Sequence, residues 1–292
     1  MTINKTKKKE NKRQSQSYQI WLRFKKNKPA YAGLIIFTAI VVLAIAAQIF
    51  IPQERSIVQN SANRLMRPCG EYLFGTDSFG RDQFARVAHS AILSLTLGVG
   101  CSMMSLIMGT IIGGCSALYK KMDNILMRAI DVLASIPQTL LAIILVAIFG
   151  TQIMNLMLAI SISGIPLFAR LARSTMLGII DQDYVVAART YGTNDVRLLW
   201  RHVLPNAIGP LIVQTTMSVA DMMLQASSLS YLGLGVQPPT PEWGSMLNSG
   251  REYLQTHVYL LVYPGLAIVI TALSVNLLGD GLRDALDPRL KS

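Results

Sequence analysis

The residues that could carry out chemistry in this sequence are few, and their spacing does not form an enzyme site. There is no GxxxxGK[ST] loop to hold a nucleotide phosphate, and there is neither an HExxH nor a CxxC pair to hold zinc. The histidines, His89, His202 and His257, are scattered without a metal-binding spacing. The sequence therefore predicts a chain that is not an enzyme and that binds no metal or cofactor of its own.

Asp221 is the acidic residue with the clearest potential for function. It lies in the middle of a long apolar segment without a basic residue nearby, and Gln214 and Gln225 lie on the same segment. A charge inside hydrocarbon is costly, so this carboxylate is expected to face other protein or a polar cavity. Glutamines inside membrane helices often join one helix to another. We therefore take Asp221, Gln214 and Gln225 as candidates for the lining of a polar pathway, with helix-to-helix contacts as the alternative for the glutamines.

The elements that must hold these side chains are membrane helices. Of the 292 residues, 51% are hydrophobic and 15% are charged, with a mean hydropathy of +0.40, whereas about 25% of a soluble domain is charged. A helix needs about 20 mostly apolar residues to cross a bilayer. Segments at about 29–52, 91–118, 127–149, 153–171, 205–232 and 258–278 meet that requirement. The predicted fold class is all-α, a polytopic membrane protein with six transmembrane helices.

The distribution of lysine and arginine predicts the orientation of these helices. The net charge is +11, and 21 of the 27 basic residues fall on the side of the N-terminus if six helices cross the membrane. Because loops rich in lysine and arginine stay in the cytoplasm, both termini are predicted to be cytoplasmic. Residues 1–28 are then expected to be a disordered basic tail that sets topology, and no nucleic-acid partner is expected.

The predicted cytoplasmic loop at 174–205 has a helical pattern. Its first half places small and aromatic residues at i, i+3, i+4 and i+7, namely Tyr184, Ala187, Ala188 and Tyr191. Asp181 is positioned to cap this helix, Gly192 to end it and Asn194 to cap a second helix. The second helix has an apolar stripe made of Val196, Leu199, Trp200, Val203 and Leu204, and Pro205 then opens the next span. Such a helix pair can dock a soluble partner or lie on the lipid surface, and the pattern leaves both open.

Two segments on the other side of the membrane combine glycines with charged or aromatic residues. Asp77, Arg81 and Asp82 stand among turn-forming glycines and are predicted to form an ion-pair network at the membrane edge. The network either fixes the path of the chain into the bilayer or forms a docking surface. The stretch 233–244 is too rich in glycine and proline for a helix, and Trp243 within it could anchor at the membrane interface or contact a partner.

Several motifs, in order along the chain, resemble one family of membrane proteins. Ala187, Ala188 and Gly192, followed by Leu204 and Pro205, resemble the EAA loop of ABC importer permeases. Residues 74–82 (FGTDSFGRD), 229–244 (LSYLGLGVQPPTPEWG) and 278–289 (LGDGLRDALDPR) are similar to segments of the C-type permease subunits of dipeptide, oligopeptide and nickel importers. The departure is Val186, which occupies the position of the family's glutamate. An ionic contact at that point is therefore in doubt.

The resemblance implies the type I ABC importer permease fold in a bacterial plasma membrane, with a coupling helix that docks into an ATPase subunit. The implied coupling residues are Tyr184, Val186, Ala187, Ala188, Tyr191, Gly192, Leu204 and Pro205. The implied candidates for docking on the outer face are Asp77, Arg81, Asp82, Gln237 and Trp243. The implied partners are a second, B-type permease chain in a heterodimer, two ATPase subunits that carry ATP and Mg²⁺, an extracytoplasmic substrate-binding protein and membrane lipid.

The implied function is half of a translocation pathway for di- or oligopeptides that works by alternating access. Nickel or another metal chelate is an alternative cargo, and an ion-gradient-driven transporter that uses Asp221 as the ion carrier is an alternative mechanism. The expected organisation is a tail at 1–28, a first helix at 29–52, an extracytoplasmic segment at 53–88, a five-helix core at 89–282 with a coupling loop at 174–205 and an external loop at 233–257, and a cytoplasmic tail at 283–292.

Overall fold

The computed structural model describes residues 16–286, which fold mainly into helices. In chain order these are α1 (Gln16–Lys26), α2 (Lys28–Phe50), α3 (Glu54–Ile57), α4 (Gln83–Leu118), α5 (Lys120–Ala134), α6 (Gln138–Phe149), α7 (Ile153–Ile180), α8 (Asp183–Thr190), α9 (Asp195–Leu198), α10 (Leu204–Tyr231), α11 (Trp243–Gly250) and α12 (Tyr259–Leu286). Short 3₁₀ turns lie at Ser61–Asn63 and Arg251–Tyr253, and a π turn lies at Leu199–Val203. The predicted all-α fold is confirmed.

Five helical segments are individually long and apolar enough to cross a membrane, namely α2, α4, α7, α12 and the segment formed by α9 and α10. At about 1.5 Å per residue, the 36 residues of α4 extend about 54 Å, well beyond a hydrocarbon core of about 30 Å. Several helices therefore exceed their predicted limits. α4 begins at Gln83 instead of about 91, α7 ends at Ile180 instead of about 171, and α12 ends at Leu286 instead of about 278.

The span predicted at 127–149 is broken and not continuous. α5 and α6 meet at an angle of 90°, with Ser135, Ile136 and Pro137 between them. Pro137 has no N–H to donate and disfavours a helical conformation in the residue before it, so α5 ends ahead of Pro137 and α6 begins after it. The prediction of one straight helix was wrong because the uncharged run continues through this point.

The packing of α4 against α7 shows that α5 and α6 together cross the bundle. Gly100 lies against Met157, and Gly113 lies against Ala172, so the two helices run in the same direction. The chain must therefore return from the end of α4 to the opposite end of the bundle before α7 begins. α5 and α6 make that return as one broken span, which brings the number of crossings to six in the described chain.

Both ends of the described chain lie at the same end of the bundle. The start of α4 contacts the start of α12, where the Gln83 side-chain amide donates to the Leu260 carbonyl at 3.2 Å. The start of α2 contacts the end of α12, where Ala30 packs against Gly281. We name the end that carries α1, α8 and the last turn of α12 the α8 end. The opposite α11 end carries residues 51–82 and 232–258.

Part of the predicted disordered tail is a helix. α1 occupies residues 16–26, and its Phe24 is buried against Ala30 and the end of α12. Asn27 caps α2 by accepting a hydrogen bond from the Ala30 N–H at 3.2 Å, and its side chain donates to Asp284 at 3.0 Å. These long-range contacts cannot be seen in a basic sequence, and residues 283–286 likewise belong to α12 instead of a tail. The remaining tail residues, 1–15 and 287–292, lie outside the described residues.

Candidate functional site

The loop after α7 contains the first predicted helix, with a different cap. α8 spans Asp183–Thr190, and Gly192 follows it with φ +83°, a conformation that glycine adopts without strain. Asn194 accepts a hydrogen bond from the Arg197 N–H at 2.8 Å and caps α9 as predicted. The prediction that Asp181 caps α8 was wrong, because Gln182 occupies the N-cap position and Asp181 follows the last residue of α7.

α8 buries one side and exposes the other. Val185 is 1% exposed, and with the partly buried Ala188 it packs against a cluster formed by the ends of α7 and α10. The four residues predicted to share one helix face therefore do not all have the same surroundings, because Ala188 lies on the packed side. Tyr184, Val186, Ala187 and Tyr191 remain exposed, and we name these four residues the α8 surface. Asp183, Arg189 and Thr190 of α8 are exposed as well. Tyr191 is 91% exposed, so this surface is accessible to a partner from the α8 end.

The predicted second helix is continuous with the span that follows it. α9, the π turn at Leu199–Val203 and α10 form one helix of 37 residues, Asp195–Tyr231. Pro205 has no N–H to donate, and the π turn just before it accommodates the altered hydrogen bonding without ending the helix. Val203 is buried, whereas Val196 and Trp200 are mostly exposed, so the predicted apolar stripe is only partly packed. Leu204 and Pro205 therefore lie within a continuous helix that runs from the α8 loop into the apolar part of α10.

Ion pairs hold α5 against α7 at the α8 end. Arg173 forms a bidentate pair with Asp123, with both N···O distances at 2.6 Å, and Ser116 of α4 donates to the same carboxylate. Arg170 pairs with Asp131 at 2.7 Å, but both of these side chains are more than half exposed. The first pair joins three helices and is the less exposed, so it is expected to contribute more to stability than the second.

The three candidate pathway residues lie in different surroundings. Asp221 is exposed on α10, and the ion pairs found among residues 16–286 do not include it. Gln214 is partly buried and donates to a serine of its own helix at 3.3 Å. Gln225 is buried, accepts a hydrogen bond from Gln138 of α6 at 3.0 Å and donates to Ser163 of α7 at 3.3 Å. Gln225 therefore joins three helices, while Asp221 lies on the exposed face of α10.

The charged residues before α4 form the predicted ion-pair network, but they are buried. Asp77, Arg81 and Asp82 are at most 6% exposed. Asp77 pairs with Arg81 at 2.7 Å and with Arg86 at 3.5 Å, and Arg55 lies 3.9 Å from Asp82. Because these side chains already satisfy one another inside the fold, their predicted use as an outer docking surface is wrong for this conformation. They fix the segment 51–82 over the start of α4.

Trp243 is also a core residue and does not anchor at the membrane interface. It is 1% exposed, and its indole N–H donates to the Val87 carbonyl of α4 at 3.0 Å. Of the predicted outer docking residues, Gln237 alone is exposed, and its side chain donates to the carbonyls of Gly233 and Gly235 at 3.0 and 2.9 Å. Gln237 thus helps to shape the loop between α10 and α11.

Glu242 is a buried charged residue that the sequence analysis missed. It has no exposed surface, and its carboxylate caps α11 by accepting hydrogen bonds from the N–H groups of Gly244 and Ser245, each at 2.9 Å. Ser227 of α10 and Ser94 of α4 donate to the same carboxylate at 3.2 and 3.5 Å. An acidic residue just ahead of a short helix is an N-cap signal, but its burial depends on serines far away in the sequence.

Comparison with known families and proteins gives consistent matches over most of the chain. Residues 105–292 match the model of the family described as binding-protein-dependent transport system inner membrane component. Residues 15–68 match the N-terminal TM domain of oligopeptide transport permease C.

Similar curated proteins include three with names that state a cargo. The dipeptide transport system permease protein DppC of Alkalihalophilus pseudofirmus is 40% identical over 92% of this chain and 89% of its own length. The di/tripeptide transport system permease protein DppC of Pseudomonas aeruginosa is 40% identical over 94% and 92%. The glutathione transport system permease protein GsiD of Escherichia coli is 40% identical over 94% and 91%.

Solved structures show the same fold at low sequence identity. A chain of an amino acid ABC transporter crystallised with histidines aligns with a TM-score of 0.51 at 17% identity, over 71% of this chain and 95% of its own. A chain of the inward-facing MetNI methionine ABC transporter aligns with a TM-score of 0.50 at 15% identity, over 67% and 95%.

Proposed function

Because this chain belongs to the family of binding-protein-dependent transport system inner membrane components, we propose that it forms half of the translocation pathway of an ATP-driven peptide importer. Relatives named for dipeptides, di/tripeptides and glutathione support a peptide cargo over a nickel chelate. The chain supplies the passage and its alternating access. ATP with Mg²⁺ is bound and hydrolysed on partner ATPase subunits.

The observation that carries this proposal is the continuous helix from the α8 end into the membrane. α8 packs through Val185 and Ala188 onto the segment that leads into α10, and this segment is helical without interruption from Asp195 to Asp221. A displacement of α8 would therefore move the start of this helix. The exposed Tyr184, Val186 and Ala187 form the contact with the ATPase, and Val186 makes that contact apolar where the family has an acid.

Asp221 supports a pathway at the contact with a second permease chain. An exposed carboxylate on a membrane helix is unfavourable against lipid, so a protein partner or a water-filled cavity must cover it. We place a related, B-type permease chain against this face to form a heterodimer. Asp221 then faces the shared cavity, where it can pair with the terminal amine of a peptide, with Gln214 nearby and Gln225 holding α10 from behind.

The two ends of the bundle indicate where the remaining partners bind. The α8 end carries the basic residues of α1, of the α4–α5 turn and of the α8 loop, so we place it in the cytoplasm with the two ATPase subunits. The α11 end then faces outward. The loop that contains Gln237, together with residues 51–82, is the surface that we propose receives an extracytoplasmic substrate-binding protein.

Replacing Ala187 with tryptophan in the complete importer tests the coupling surface. Ala187 is exposed, so the bulky side chain should block ATPase docking without disturbing the fold, unlike a replacement of the packed Ala188. We expect ATP-dependent uptake of a labelled dipeptide into proteoliposomes to fall about tenfold or more, because ATPase docking is weakened. The matched control is Ala39→Trp, because Ala39 is an exposed alanine of α2 that lies outside the α8 surface and outside the segment 51–82.

Two outcomes would overturn this function. Equal uptake by Ala187→Trp, Ala39→Trp and the unaltered chain would remove α8 from the coupling path. Uptake by this chain under a proton gradient, without ATPase subunits, would identify a secondary transporter with Asp221 as the ion carrier. Uptake of nickel in place of the dipeptide would retain the ATP-driven mechanism and change the cargo.

A further inference from the structure

An apolar cavity of ≈ 510 Å³ separates the outer half of α2 from α4 and α12. Its walls carry alanines from three helices, and Trp243 also lines it. The indole N–H of Trp243 already donates to the Val87 carbonyl, so this side chain offers the cavity only carbon surface. The cavity therefore presents almost no polar group to an occupant.

The cavity lies where α2 and α12 are no longer in direct contact. At the α8 end the two helices are close, because a Cβ added to Gly33 would lie 2.7 Å from the Leu277 Cβ and one added to Gly281 would collide with Ala30. Toward the α11 end, α2 stays in contact with α4, where the Gln48 side chain donates to the His89 carbonyl at 3.4 Å, and small side chains line the space between α2 and α12. The stacked rings of Phe74 and Tyr263, 3.9 Å apart, also belong to the wall.

The cavity opens onto the surface that these helices present to lipid. Leu43, Phe50 and Ile270 line it and are also 68%, 80% and 44% exposed. Its interior is thus continuous with the lipid-facing surface of membrane-spanning helices. Water would lack partners there, since an ordered water needs two or more polar groups. If the space were empty, the side chains that line it would lose dispersion contacts.

We propose that an acyl chain of a bilayer phospholipid occupies this cavity, packs against Leu43, Phe50 and Ile270, and passes close to the buried Trp243. The chain fills the gap that the alanines leave between α2 and α12. A bilayer lipid therefore completes the core between α2, α4 and α12. This site is independent of the proposed pathway, which lies on the face of α10 that carries Asp221.

Trp243 provides a direct probe of the occupant. The chain has three tryptophans, so the double variant Trp21→Phe/Trp200→Phe leaves Trp243 as the single indole of this chain. Bromine atoms on acyl chains quench the emission of a nearby indole at short range, without direct contact with the ring. We expect the emission of Trp243 in the full chain to fall strongly in bilayers of dibrominated phosphatidylcholine relative to the unbrominated lipid, although this indole is 1% exposed. In the assembled importer, subtraction of the emission of a Trp243→Phe variant isolates the same signal.

Filling the cavity supplies the matched control. Ala267→Phe, in the same single-tryptophan chain, places a ring in the cavity and should abolish most of the quenching, whereas Ala147→Phe, at an exposed alanine of α6 outside it, should leave quenching unchanged. Ala88→Leu replaces Ala267→Phe if that variant fails to fold. Absence of quenching in the parent, or equal quenching in the filled variant, would overturn the proposal. Quenching in the isolated chain that disappears in the importer would assign the cavity to a protein segment instead of lipid.

Discussion

Glu242 shows how a single side chain can organise the α11 end. Its carboxylate meets two backbone N–H groups of α11 and hydroxyls from α4 and α10, so one residue joins three helices. Hydrogen bonds of this kind are stronger when the acceptor is charged. The burial of this side chain could not be predicted from the sequence, because an acidic residue in a proline-rich stretch is typical of an exposed loop. The fold buries it by bringing Ser94 and Ser227 together.

Replacing Glu242 with alanine should destabilise the chain by about 3 kcal/mol, because an N-cap is lost and two buried hydroxyls lose their acceptor. The measurement is the free energy of unfolding of the full chain in detergent. Glu252→Ala is the control, since Glu252 is an exposed acid near the same end and should change stability by less than about 0.5 kcal/mol. Similar losses in both variants would show that the Glu242 contacts contribute little.

At the scale of helices, hydropathy predicted where spans lie but not how they bend. Pro137 ends α5, yet Pro166, Pro210 and Pro264 lie inside α7, α10 and α12 without breaking them. A proline in an apolar run therefore indicates a possible break, and the packing of neighbouring helices decides the outcome. In the loop after α7, the end of α8 and the cap of α9 were predicted correctly because their signals are local: Gly192 follows the first helix, and Asn194 caps the next. The exposed side of α8 is determined by its contacts with distant residues of α7 and α10. The spacing of residues within the loop therefore could not predict it.

The two ion pairs between α5 and α7 should differ in their effect on stability. Asp123→Asn removes a bidentate contact that also binds Ser116, and its side chain is 20% exposed, so we expect a loss of about 1 kcal/mol. Asp131→Asn removes a pair with side chains 54% and 63% exposed, so we expect a change of less than about 0.3 kcal/mol. Chemical unfolding of each variant in detergent measures both. The reverse order would contradict the burial argument.

At the scale of the whole molecule, the contacts determine which loops share an end of the bundle. α4 and α7 run in the same direction, so the segment 51–82 and the α8 loop must lie at opposite ends. Counting apolar segments predicted the same topology, although one of those segments is broken. The contacts alone do not say which end is cytoplasmic. That assignment comes from the excess of lysine and arginine at the α8 end, a bias set during membrane insertion.

Native cysteines offer a test of this orientation. Cys69 is exposed in the segment 51–82, Cys101 is buried, and Cys115 is partly exposed near the end of α4. A membrane-impermeant maleimide applied to spheroplasts should therefore label the unaltered chain and fail to label Cys69→Ser. Adding Tyr191→Cys to Cys69→Ser/Cys115→Ser places a single accessible thiol on the α8 surface, where the native side chain is 91% exposed. This variant should react only after permeabilisation, because an odd number of crossings separates the two positions. Labelling of both thiols in spheroplasts would contradict the parallel packing of α4 and α7, which requires α5 and α6 to cross the membrane. Labelling of Tyr191→Cys alone would reverse the orientation and place the proposed ATPase contact outside the cell.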